Sequence, residues 1–108
     1  MNNKESDIKK YIQNIVEEEN VVLFMKGDKK FPQCGFSANV VNILKFYNTS
    51  FKDINILLSK DLRNGIKEYT NWPTIPQLYV NKKFIGGSDI VSNLHRQKKL
   101  KTILKVKE

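Results

Sequence analysis

Val21-Val22-Leu23-Phe24-Met25-Lys26-Gly27 leads through a polar loop into Pro32-Gln33-Cys34-Gly35-Phe36-Ser37, and the rest of the chain is organised around that passage. Five consecutive apolar residues, β-branched at the start, read as a strand covered on both faces, as in a sheet with helices above and below. Lys26-Gly27 ends it. Phe36, Val40, Ile43, Leu44 and Tyr47 then recur at helical spacing, which predicts a helix ending near Asn48 with Phe36 in the core. Cys34 therefore falls at or just before a helix N-terminus. Free backbone N–H groups and the positive end of the helix dipole favour an anion there. A thiol so placed has a lowered pKa and is partly thiolate at neutral pH. Thiolate is both the nucleophile and the metal-binding form.

Ahead of this passage, Ile8, Tyr11, Ile12, Ile15 and Val16 predict an amphipathic helix over about residues 6–18, capped by Asn3 or Ser6. Beyond it, Ile54-Asn55-Ile56 reads as a short strand. Ser59 caps a helix to Tyr69, with Leu62, Ile66 and Tyr69 inward. Gly65 inside that helix costs about 1 kcal/mol relative to Ala, which implies a close neighbour or a weak helix. Trp72-Pro73-Thr74-Ile75-Pro76 breaks the helix and is extended, because residues before proline avoid helical geometry. Gln77 to Val80 and Lys83 to Ile85 form a hairpin turning at Asn81-Lys82. Gly86-Gly87 punctuates. Ser88 or Asp89 caps a fourth helix with Ile90, Val91 and Leu94 inward, and Leu100, Ile103 and Leu104 make a short last one. The order α-β-α-β-α-β-β-α-α gives a four-stranded mixed sheet with helices on both faces.

The 108 residues suit one domain, 1–108, and 40% hydrophobic content suffices for one core. A single Cys excludes an internal disulfide and fits a reducing compartment. No apolar run approaches a membrane span, and the N-terminus has no signal core. The net charge of +8 is nearly all lysine, with only Arg63 and Arg96 as arginines. Without interleaved aromatics that charge reads as a solvated surface and a basic tail, Lys98 to Lys107, rather than a nucleic-acid face.

Lys26-Gly27, Cys34-Gly35-Phe36-Ser37, Trp72-Pro73-Thr74-Ile75-Pro76-Gln77 and Gly86-Gly87-Ser88-Asp89, in this order and spacing, resemble the monothiol, CGFS-type glutaredoxins over about residues 6–104. The resemblance implies a thioredoxin-like fold with an extra N-terminal helix and a glutathione site. Lys26 would stabilise the thiolate and a glutathione carboxylate; its alternative is one more surface lysine. Arg63 would grip the glycine carboxylate with its planar fork, the alternative being a solvated helix residue. The resemblance makes Ile75-Pro76 cis and turns the Ile75 backbone toward glutathione, as an added strand would pair. Ser88 and Asp89 would receive the γ-glutamyl end, or simply cap their helix. Gly35, Phe36, Trp72, Pro76, Gly86 and Gly87 frame the site without chemistry of their own. His95, the sole histidine, reads as solvated or capping.

Ser37 stands where a dithiol site has its second cysteine. With no resolving thiol, any redox turnover must borrow glutathione, which makes slow glutathione-dependent thiol–disulfide exchange one reading. The other is iron ligation. A [2Fe-2S] cluster normally takes four thiolates. The resemblance implies a homodimer bridged by a cluster, with two Cys34 and two glutathiones as ligands and an apo-monomer when the cluster leaves. Half its ligands are not covalently held, which suits a carrier that serves cluster scaffolds and apo-acceptor proteins. Cytoplasm and mitochondrial matrix both fit.

Overall fold

Residues 3–105 are described by the computed structural model, with side chains from residue 7 onward. The elements run α1 (Asn3–Glu18), β1 (Val21–Met25), α2 (Gly35–Phe46), β2 (Lys52–Asn55), a 3-10 turn (Ile56–Leu58), α3 (Lys60–Thr70), β3 (Gln77–Val80), β4 (Lys83–Gly86), α4 (Ser88–Arg96) and α5 (Leu100–Ile103). The strands order as β2-β1-β3-β4. β1 is parallel to β2, with Phe24 opposite Ile54, and antiparallel to β3, with Leu23 opposite Leu78. β3 and β4 close an antiparallel hairpin in which Tyr79 faces Phe84. Asn81 and Lys82 turn it with φ of 50° and 72°, the positive pair a two-residue hairpin needs.

All five residues of β1 are buried, because it lies inside the sheet and is covered on both faces. Alternation sends Val21, Leu23 and Met25 to one core with Val40, Leu44 and Val91. Val22 and Phe24 enter the other, with Ile12, Val16, Leu62 and Ile66. This is the mixed sheet between helical layers expected from the sequence, with the N-terminal helix in place. Gly65 is where α1 crosses α3: a Cβ there would overlap Ile8 Cγ2 and sit 3.4 Å from Ile12 Cδ1. Gly65→Ala gains about 1 kcal/mol of helix propensity but overpacks this crossing at about 1–3 kcal/mol. Denaturant unfolding is expected to show a net loss near 1 kcal/mol; a gain would mean that α1 yields.

Several local expectations change. The first helix already includes Asn3, so Ser6 lies inside it instead of capping it; the side chains of both fall outside the described residues, as does Lys107. Tyr11 is 48% exposed. Phe36 is not a core residue: it is 62% exposed, and the fully buried Ser37 takes its place on the inner face. Ser37 Oγ is required there as acceptor for the Lys26 N–H at 3.1 Å. The second strand stops at Asn55, whose Oδ1 accepts from Leu57 N at 3.0 Å and so starts the 3-10 turn at Ile56. Gly87, not Ser88 or Asp89, caps α4: its carbonyl accepts the Val91 N–H at 3.0 Å, so the helix begins at Ser88. Ile90 faces outward. Leu104 lies one residue past α5, still packed against the core.

Candidate functional site

Cys34 is the N-cap of α2, extended at φ −154° and ψ 137°, and its carbonyl accepts the Ala38 N–H at 2.9 Å. This backbone turns the first free N–H groups of the helix toward the sulfur. The Ser37 N–H is the largest cause holding the Cys34 thiol below its ordinary pKa. Burial opposes it; the Phe36 N–H, the Lys26 charge and the Ser37 hydroxyl add to it. Neither N–H makes a full capping hydrogen bond to the sulfur. They act as oriented dipoles, which suits an anion better than a neutral thiol.

The loop that delivers Cys34 is pinned to the sheet. Gly27 N donates to Asn55 Oδ1 at 3.0 Å, Gln33 N to Lys26 O at 2.9 Å, and Lys29 N to Asp53 Oδ2 at 2.9 Å. Asp28 Oδ1 accepts from the Lys30 and Phe31 N–H groups at 2.9 and 2.8 Å. Asn55 and Asp53 were not singled out in the sequence; nothing in their spacing links them to a loop 24 to 28 residues away.

A cleft of about 520 Å³ opens beside the sulfur. Lys26, Cys34, Arg63, Ile75, Ser88 and Asp89 all line it, so five separate segments converge on one place. Phe36, Trp72, Pro76 and Gly87 line it too, whereas Gly35 and Gly86 do not. A Cβ on Gly35 would meet nothing within 4 Å, so the space beside it is open. Gly86, at φ +150°, lies under Ile90, whose Cβ would be 2.7 Å from a side chain there. Lys67, Thr74 and Ile90 also face the cleft. Lys67 was legible in principle, since it follows Arg63 by four residues on one helix face.

The segment after α3 is held from beneath. Buried Gln77 donates through Nε2 to the carbonyls of Trp72 and Thr74, both at 3.2 Å, and accepts from Tyr79 OH at 3.2 Å. The Ile75-Pro76 peptide bond is cis. Trp72 leans on Phe84 with ring centroids 5.6 Å apart, and its Nε1 is buried without a hydrogen-bond partner among the described residues. Asn39 Nδ2 donates to Ser88 Oγ at 2.9 Å and to Ser92 Oγ at 2.7 Å, which ties the start of α4 to α2. His95 does not line this cleft; it is half-buried near the end of α4, with Tyr47 OH and His95 Nδ1 2.6 Å apart.

The cleft joins one activated thiol to three cations, one carboxylate and the free N–H groups of the first turn of α4. Such a lining can receive an anionic small molecule beside the sulfur. Among the described residues no three His, Cys, Asp or Glu side chains converge to hold a metal ion. Nor is any helix among them long and apolar enough to cross a membrane.

The chain is similar in sequence and fold to known proteins. The family model described as glutaredoxin matches residues 21–85. A monothiol glutaredoxin of Synechocystis is 48% identical over 100 residues, which cover 93% of this chain and 94% of that one. A chloroplastic monothiol glutaredoxin of Arabidopsis thaliana is 55% identical over 83 residues, 77% of this chain and 48% of the other. The solution structure of reduced poplar apo GrxS14 superposes with a TM-score of 0.81 at 47% identity, over 91% of this chain and 90% of its own.

Proposed function

Because this chain belongs to the glutaredoxin family, among its monothiol members, we propose that it binds glutathione beside Cys34 and carries a [2Fe-2S] cluster from a scaffold to apo-proteins. The observation that carries the reading is an activated thiol with no second thiol anywhere in the chain, set in a cleft lined by cations. In this reading Arg63 and Lys67 take the glycine carboxylate of glutathione. The backbone of Ile75 pairs with the cysteinyl residue. The first turn of α4, at Ser88 and Asp89, takes the γ-glutamyl end, and Lys26 balances charge at the sulfur. Trp72, Pro76 and Gly87 shape the cleft.

The cluster is cargo. One chain offers one thiolate, and four are needed. Two chains and two glutathiones complete the shell, so the loaded form is a homodimer and the empty form a monomer. A compartment that keeps thiols reduced, cytoplasm or matrix, supplies the glutathione. The test is anaerobic reconstitution with iron, sulfide and glutathione. A visible absorption band and a doubled mass are expected, both lost when glutathione is dialysed away. A cluster that persists without glutathione overturns the reading.

The lowered pKa of Cys34 and its place in the cleft lining also support a second, weaker activity. The thiolate attacks the glutathione sulfur of a mixed disulfide and expels the other thiolate, which takes up a proton. A second glutathione thiolate then attacks the Cys34–glutathione disulfide, releasing oxidised glutathione and the free Cys34 thiolate. Turnover on a small glutathione mixed disulfide measures it.

A further inference from the structure

The end of α2 and the turn after α4 enclose a second groove, of about 810 Å³. Phe46, Tyr47 and His95 form its aromatic side, with ring centroids 5.1 to 5.3 Å apart in edge-on contacts. The Tyr47–His95 hydrogen bond fixes that cluster, yet the Phe46 ring remains 70% exposed. Arg96, Lys98, Lys101 and Lys105 supply its positive charge, and no carboxylate lines the groove among the described residues.

This groove is not isolated from Cys34. A polar shelf of about 460 Å³ lies between them, and it shares Arg96 with the groove and Phe36, Ser88 and Asp89 with the cysteine cleft. The track follows α4, whose nine residues span about 13 Å. Exposed apolar side chains stand at both ends, Phe36 and Ile90 near the sulfur and Phe46 at the far end. Aromatic anchors with arginine, surrounded by polar groups, are the composition of a protein interface. Among the described residues its charge is one-sided: positive along the groove, with the carboxylate of Asp89 at the cysteine end.

We propose that this groove docks a protein partner through a carboxylate-rich segment bearing an apolar side chain that packs on Phe46, while the partner's body lies along α4 toward Cys34. The partner's class rests on the carrier reading, since a recipient must meet the sulfur; the groove itself does not. Its charge accelerates and orients the encounter, and Phe46 supplies the packing.

The experiment maps backbone amide shifts of the isotope-labelled apo chain without glutathione or iron, so its failure leaves the reconstitution result untouched. The probes are a glutamate-rich synthetic peptide containing one phenylalanine, its glutamine counterpart, and oligothymidylate. The glutamate peptide is expected to shift Phe46, His95 and residues 98–105 saturably, and the glutamine peptide to bind about tenfold more weakly. Joint Lys98→Glu, Lys101→Glu and Lys105→Glu substitution, or Phe46→Ala alone, is expected to cost a similar factor; the corresponding Lys→Gln variant serves if charge reversal unfolds the chain. Tighter binding of oligothymidylate in the groove overturns the proposal in favour of a nucleic-acid face. So do shifts spread equally over Lys9, Lys10 and Lys83, or no shifts at all.

Discussion

Replacing Cys34 with serine is expected to leave the reconstitution mixture without a protein-bound visible band, with iron at the protein-free background and the chain monomeric by mass. The reason is stoichiometric. Cys34 is the only cysteine, and a serine hydroxyl does not ionise near neutral pH. Two Cys34→Ser chains would contribute no thiolate, leaving two glutathione sulfurs for a shell of four. The fold should survive, because the Cys34 side chain makes no capping hydrogen bond and is only half-buried. A chain that unfolds would therefore point to a structural role that its contacts do not indicate. Full cluster loading in the variant would overturn Cys34 as ligand.

The same sulfur has a pH signature. Its folded pKa is lowered, first by the Ser37 backbone N–H and only later by the charge of Lys26. A depressed acid contributes stability above its unfolded pKa, and loses it as pH falls through the folded value. The stability of the native chain relative to Cys34→Ser is thus expected to grow from neutral to mildly alkaline pH and then level off. Alkylation of Cys34 should titrate below the ordinary thiol range. Lys26→Gln should move that midpoint up only slightly, because the backbone dipoles remain.

What could be read in advance, and what could not, divides by the range of the interaction. β1, the Cys34 turn and the hairpin at Asn81-Lys82 are local patterns of burial and turn chemistry, and they stand where they were read. Phe36 was misplaced because apolar spacing cannot register that buried Ser37 has a backbone N–H to satisfy on the neighbouring strand end. Ser88 and Asp89 have side chains that suit caps, yet the extended Gly87 is the cap, so the helix starts at Ser88, earlier than either side chain would place it. Asn39 on Ser88 and Ser92, and Tyr47 on His95, join residues 48 to 53 apart in the chain. No periodicity carries such pairs. The convergence of Lys26, Arg63, Ile75 and Ser88 on one cleft was legible only through the family resemblance, since composition and spacing do not bring them together.

Gly27→Ala is expected to be among the most damaging single-atom additions to this fold. Gly27 sits at φ +85°, a region that costs an alanine about 1 kcal/mol or more. Its added Cβ would also stand 2.5 Å from the Phe31 carbonyl oxygen and 2.6 Å from the Gln33 nitrogen. Both are backbone atoms, so no rotamer change relieves the contact. The loop must move, yet Gly27 N is tied to Asn55, and the Gln33 N–H to Lys26 O. Lys26 N in turn is tied to Ser37 Oγ. Strain and overpacking together predict a loss of about 3 kcal/mol, read as a fall of more than about 10 °C in Tm. The displacement reaches the site through Gln33, which precedes Cys34. The alkylation midpoint should therefore rise toward the ordinary thiol value even in the fraction that stays folded. A stability change within about 0.5 kcal/mol would show that the Cys34 loop is not held to the sheet as these hydrogen bonds require.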